Sequence, residues 1–190
     1  MEQILNASFV DPELVVRQSQ VSPGSTVVDF GCGSGFFSFA FARAVGEEGK
    51  VYAMDILPSA LEAVASRAKH LGLTNVFPKR VNLERYGGTK LDDESVDWVL
   101  MKDILFQNKD KSVMLREVWR ILRVSGRVFV MEWNEVDQGV GPESALRIRR
   151  DDLMRLAQEA GLSLNQEFAV GDFHYGFVFE KQDRQQAANA

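Results

Sequence analysis

One cysteine in a chain of 190 residues leaves no internal disulfide and no metal site built from several thiolates, and two histidines do not make up the difference. Positive charge is short as well. Against 27 acids stand 22 lysines and arginines, a net charge of −5, where a dedicated nucleic-acid binder would carry a basic excess. The cluster Arg147, Arg149 and Arg150 reads as a solvated face. No apolar run is long enough to span a bilayer and no secretory leader opens the chain, so the cytoplasm is the expected location. The Gly-Lys-Ser/Thr of a phosphate loop is missing, and so is any internal repeat. One domain over residues 1–180 is expected, with a polar, disordered tail over 181–190.

What is present is an ordinary globular composition, 45% hydrophobic and 26% charged, in a chain long enough to bury a large core. The most informative stretch is Val27-Val28-Asp29-Phe30-Gly31-Cys32-Gly33-Ser34-Gly35-Phe36. A short apolar run with one acid leads into three glycines at alternate positions, then into an apolar helical segment. Residues without a Cβ let backbone approach a ligand closely, and a helix N-terminus favours an anionic group. A dinucleotide fingerprint would need glycine at the sixth position, which is Phe36. The acid two residues ahead of Gly31 is poorly placed for a pyrophosphate. It suits a ligand carrying a cationic amine beside a carboxylate.

Strand-like and helix-like segments alternate almost to the end, which implies an α/β fold with a mainly parallel sheet and helices on both faces. Strands are expected over 27–30, 50–54, 75–81, 96–101 and 127–133. Asp11-Pro12-Glu13 reads as N-cap, first helical residue and first-turn acid of a helix to about Gln20. The segment 36–45 is apolar nearly all round and should be a buried helix. Ser59-Ala60-Leu61-Glu62 reads as a capping box. Helical spacing recurs in Met114, Leu115, Val118, Ile121 and Leu122, and a last helix is expected over 150–160. Segments 162–170 and 175–180 are too close together for a helical crossover, so they form a hairpin with one antiparallel strand. Residues 134–146 are irregular and read as a lid or a surface crossover.

Ligands of open α/β sheets bind beyond the carboxyl ends of the strands. Besides the glycine turn, those ends carry Asp55, then Asn82 and Leu83, then Lys102 and Asp103, then Glu132 and Trp133. Asp55 lies 24 positions after Gly31, a distance at which an acid accepts hydrogen bonds from a ribose hydroxyl pair. Cys32 has no base near it and reads as a small packing residue. His70 reads as a cation at a helix C-terminus.

Asp29-x-Gly31-x-Gly33-x-Gly35 resembles motif I of the class I methyltransferases that use S-adenosylmethionine (SAM). Val51-Tyr52-Ala53-Met54-Asp55 is similar to their motif II, the segment 92–105 to the region of their fourth strand, and Leu115 to Arg127 to their "l.E..RvLkPGGr" stretch. Gly161 to Glu180 resembles the closing hairpin. The likeness covers about residues 9–180 and is greatest to the ubiquinone/menaquinone-biosynthesis-like subgroup, whose members mostly methylate small molecules.

The resemblance implies a Rossmann-like sheet of seven strands and SAM as cofactor. It also implies a small-molecule acceptor; the alternative is methylation of protein or RNA, or a non-catalytic SAM-binding module. By position, Asp29, Gly31, Gly33, Gly35 and Lys102 would meet the methionyl end, Asp55 the ribose, and Ile56, Asn82 and Leu83 the adenine. Asn82 departs from the acid usual there, and Val124-Ser125 from Pro-Gly. The hairpin turn brings His174 to the acceptor side as a base, with Asp103 and Glu132 near it. Phe106, Trp133, Phe173 and Tyr175 form an acceptor pocket or core. Oligomeric state stays open.

Overall fold

A computed structural model describes residues 10–136 and 139–183. Its strands are β1 (Thr26–Phe30), β2 (Lys50–Asp55), β3 (Val76–Arg80), β4 (Val96–Lys102), β5 (Leu122–Trp133), β6 (Leu162–Val170) and β7 (His174–Lys181). They make one sheet of seven strands in the order β3-β2-β1-β4-β5-β7-β6. The strands from β1 to β5 run parallel, and β7 lies antiparallel between β5 and β6. This is the Rossmann-like layout that the alternation of segments and the closing hairpin imply.

Five α-helices flank the sheet among the described residues: α1 (Pro12–Ser19), α2 (Phe36–Val45), α3 (Pro58–His70), α4 (Lys111–Ile121) and α5 (Arg150–Glu159). The two-residue period of the strands sorts the core. Val27, Trp98, Leu100 and Phe129 face one side, against α1, α2 and α3. Val28, Phe30, Val99, Met101 and Val130 face the other, against α4 and α5. Strands covered on both faces are apolar throughout, which is why they read as continuous hydrophobic runs. No helix among the described residues is long and apolar enough to cross a membrane.

Several local expectations hold. The Asp11 carboxylate caps α1 by accepting from the Glu13 N–H (2.9 Å). Others need correction. Ser59 is not the cap: α3 starts two residues earlier than a Ser59 cap would place it, with Pro58 as its first residue and Leu57 at the cap position. Proline's fixed φ and missing N–H suit a first helical residue, and they outweigh the capping-box pattern. β5 starts at Leu122, directly at the end of α4, instead of at 127. Its pairing with β4 breaks between Leu122 and Arg127, where Ser125 sits at φ 62°. Lys181 belongs to β7 rather than to a tail. It is 2% exposed, and its ammonium donates to the Leu122 carbonyl (2.7 Å) and to Glu94 (3.0 Å). The rest of the expected tail, from 184, lies outside the described residues.

Arg147 is not on a solvated face. It is 9% exposed, and its guanidinium donates to the carbonyls of Asn134, Val136 and Val140 (2.8 Å each) and Pro142 (2.9 Å). An irregular loop presents carbonyls with no ladder partner, and a planar fork of five donors can satisfy several at once. Arg147→Lys should therefore cost about 1–3 kcal/mol of stability in urea denaturation. The same change at exposed Arg149 should cost less than about 0.5 kcal/mol. Equal losses at the two positions would refute the clasp.

Candidate active site

The carboxyl ends of β1, β2, β4 and β5 meet the start of β7, where His174 pairs with Trp133. The glycine turn after β1 hangs on the end of β2. The N–H groups of Gly31 and Cys32 both donate to the Met54 carbonyl (2.8 and 2.9 Å), and the Gly33 N–H donates to Asp55 Oδ2 (3.0 Å). Gly31 has φ +70°, and a Cβ there would lie 2.6 Å from the Ile104 side chain. The positive φ favours glycine, and a Cβ there would also push the Ile104 side chain aside.

Two cavities open on either side of this turn, and Gly31 and Gly33 line both. The first, of about 590 Å³, has Asp29, Lys102, Trp133 and His174 in its wall. The second, of about 490 Å³, is bounded by Asp55, Ile56, Asn82 and Leu83 on one side and by Asp103, Ile104, Gln107 and Asn108 on the other. A larger hollow, of about 810 Å³ near Trp119 and Leu162, lies at the opposite end of the sheet, away from these residues.

The acids at the site are held differently. Asp29 is 3% exposed and accepts a hydrogen bond from the Ser38 hydroxyl (2.6 Å). Burial pushes its carboxyl up to about 6, although the Ser38 bond favours the ionised form. Asp55 accepts from the Leu57 N–H (3.0 Å) through its second oxygen, so its carboxylate braces both the glycine turn and the entry to α3. Asp103, at φ 53°, forms an ion pair with Lys102, and His174 Nε2 lies 3.0 and 3.3 Å from its two oxygens. Burial would raise its carboxyl, but the His174 hydrogen bond and the Lys102 charge hold it below the usual carboxylate range. An ionised carboxylate only accepts, so the nitrogen that faces it, Nε2, carries a proton. His174 is 5% exposed and packs on Trp133 with ring centroids 4.2 Å apart. Its Nδ1 is buried without a partner among the described residues.

Glu132 is fully buried and lines neither cavity. Its Oε1 accepts from the N–H groups of Ile104 (3.1 Å) and Leu105 (2.7 Å). Burial pushes its carboxyl up to about 8, with the Leu105 N–H acting against that and the charge of Asp103 adding to it. Asn82 accepts from the Glu84 N–H (2.9 Å), so its side-chain carbonyl already closes a local turn. Cys32 is 8% exposed, and burial followed by the nearby Asp29 and Asp55 charges pushes its thiol far above the ordinary value, which leaves an inert packing group. Of the aromatic residues, Trp133 reaches the first cavity, whereas Tyr175 is core and donates its hydroxyl to the Ile148 carbonyl (2.9 Å).

Sequence reasoning missed Ser38, Gln107 and Asn108. Ser38 had a signal, since a hydroxyl on the buried face of an apolar helix must find a partner. Gln107 and Asn108 had none. They sit at a single turn of 3₁₀ helix, Leu105–Gln107, too short for any period.

A family model described as a methyltransferase domain matches residues 21–161. The ubiquinone/menaquinone biosynthesis C-methyltransferase UbiE of Haemophilus ducreyi is 33% identical over 118 residues, which are 62% of this chain and 44% of that protein. The arsenite methyltransferase of Halobacterium salinarum is 28% identical over 151 residues, 74% of this chain and 38% of that one. The chain thus spans less than half the length of these relatives. The crystal structure of a SAM-dependent methyltransferase from Aquifex aeolicus superposes with a TM-score of 0.83 over 90% of both chains at 24% identity, a likeness of fold. With its glycine turn, strand order and closing hairpin, the chain belongs to the methyltransferase-domain family, and over that domain it is similar to UbiE.

Proposed function

We propose that the chain binds SAM across the glycine turn and transfers its methyl group to a small-molecule acceptor in the first cavity. The observation that carries this is the pair of cavities meeting at Gly31 and Gly33, one facing Asp55 and the other facing Asp29 and His174. The fit can be tested on the residues. A Cβ at Gly33 would meet nothing within 4 Å, so the space above the turn is free for a ligand. Asp55 keeps lone pairs for a ribose diol after accepting two N–H groups. Asp29 is a buried acid whose charge a cationic amine would restore. Ile56, Asn82 and Leu83 bound the place for adenine. Lys102 keeps its ammonium on Asp103, so it does not confront a sulfonium as a free cation.

When bound, SAM supplies a methyl group on a sulfonium, an electrophile with a neutral leaving group. The protein must align the acceptor in line, with reacting atoms roughly 3–3.5 Å apart, and exclude water. His174, braced by Trp133 and oriented by Asp103, stands in the wall of the first cavity as the base for an acceptor that must lose a proton. The single buried thiol does not supply the soft ligands that arsenite would call for.

Calorimetry should show binding of SAM and S-adenosylhomocysteine (SAH) and none of NAD. Asp55→Ala should weaken SAH by about 1–3 kcal/mol; an unchanged dissociation constant would reduce Asp55 to a brace. Because Asp29 titrates near 6 and a cationic amine prefers it ionised, SAH affinity should rise about tenfold from pH 5 to 7 and then level off. Asp29→Asn should flatten that profile, and an equally steep profile in the variant would exclude Asp29 as its source. Once an acceptor is found, His174→Gln should slow turnover by roughly 10²–10⁴-fold and leave SAH affinity intact. A rate within a few-fold of wild type from pH 6 to 9 would remove His174 as the base.

A further inference from the structure

We infer that Glu132 is a positioning residue: its buried carboxyl sets the segment Asp103–Asn108 that walls the second cavity, without touching ligand itself. The inference rests on SAM occupying that cavity. β4 ends at Lys102, and the chain then turns through Asp103 at φ 53°, a left-handed conformation that aspartate tolerates better than most residues with a side chain. Beyond the strand end the next N–H groups have lost their ladder partners. All three in succession are taken up by β5: Asp103 N–H donates to the Met131 carbonyl (3.0 Å), and Ile104 and Leu105 N–H donate to the single oxygen Oε1 of Glu132. The Gln107 and Asn108 side chains then donate back to the carbonyls of Asp103 (2.9 Å) and Ile104 (2.8 Å), which closes the turn on itself.

This pinning fixes two things. Ile104 is set against Gly31, so the segment locks to the glycine turn. Asp103 is aimed at His174, so the wall of one cavity is tied to a residue of the other. An apolar side chain at 132 could fill the volume but would leave the buried Leu105 N–H and the part-buried Ile104 N–H without this acceptor. An amide could replace the acid, because an amide carbonyl accepts as the carboxyl does. The raised titration of Glu132 agrees with a neutral group at this position.

The test compares wild type, Glu132→Gln and Glu132→Leu as full chains, with SAH calorimetry and residue-resolved amide hydrogen exchange. Glu132→Gln should hold SAH affinity within about threefold, and Glu132→Leu should lose about tenfold or more. Protection of the Ile104 and Leu105 amides should persist in the Gln variant and vanish in the Leu variant. A Leu variant that binds like wild type overturns the inference, as does a loss in Gln equal to that in Leu. If the Leu variant does not fold, exchange in the other two proteins decides. Protected Ile104 and Leu105 amides in both sustain the role, and rapid exchange in folded wild type ends it. A wild type that binds no SAH defeats the cofactor reading instead, with the exchange result still able to stand or fall alone.

Discussion

Two neighbouring acceptors at the end of β2, the Met54 carbonyl and the Asp55 carboxylate, hold the N–H groups of three consecutive turn residues, Gly31, Cys32 and Gly33. Without them the turn after β1 would expose unpaired donors beside the buried core, a costly arrangement. With them, the backbone is drawn sideways across the sheet edge, and α2 starts from Gly35 in a set direction. The space on either side of the turn follows from that one tether. So does the place of Ile104, whose side chain packs where a Cβ at position 31 would sit.

Around this frame, burial alone does not decide how an acid behaves. Asp29 and Glu132 are withdrawn from water and Asp103 is partly so, yet they divide according to what faces them. Asp103 has a cation and an imidazole N–H beside it and stays ionised. Asp29 has one hydroxyl and titrates close to neutrality. Glu132 has only two backbone donors on one oxygen and is pushed furthest. The ordering follows the balance between desolvation and compensating charge or hydrogen bonding. It gives three carboxyls within a few residues of the strand ends three different electrostatic characters.

The layout of strands and helices was legible because buried parallel strands are apolar throughout and glycines mark the turns. Asp29, Gly31 and Asp55 were legible as one constellation because their spacing is dictated by a turn that must cross between two strands. Glu132 was legible as a residue at a strand end, but not as an acceptor for Ile104 and Leu105, because nothing in a sequence tells which backbone donors lack partners. Arg147 looked like surface charge for the same reason: the carbonyls it gathers belong to a loop without periodicity. Ser59 and the start of β5 were misplaced where a local pattern competed with a stronger neighbour. In one case this was Pro58, and in the other a helix that passes into a strand with no loop between.

β7 is the last strand among the described residues, yet it lies inside the sheet. Until it leaves the ribosome, β5 presents a full unpaired edge flanked by Val128, Phe129 and Val130, and β6 has nothing to pair with. An exposed apolar edge of that length is a template for foreign strands. A chain cut short by its final ten described residues would therefore lose more than a surface strand. It would be split at an inner seam, with β5 and β6 each left without the partner that joins them.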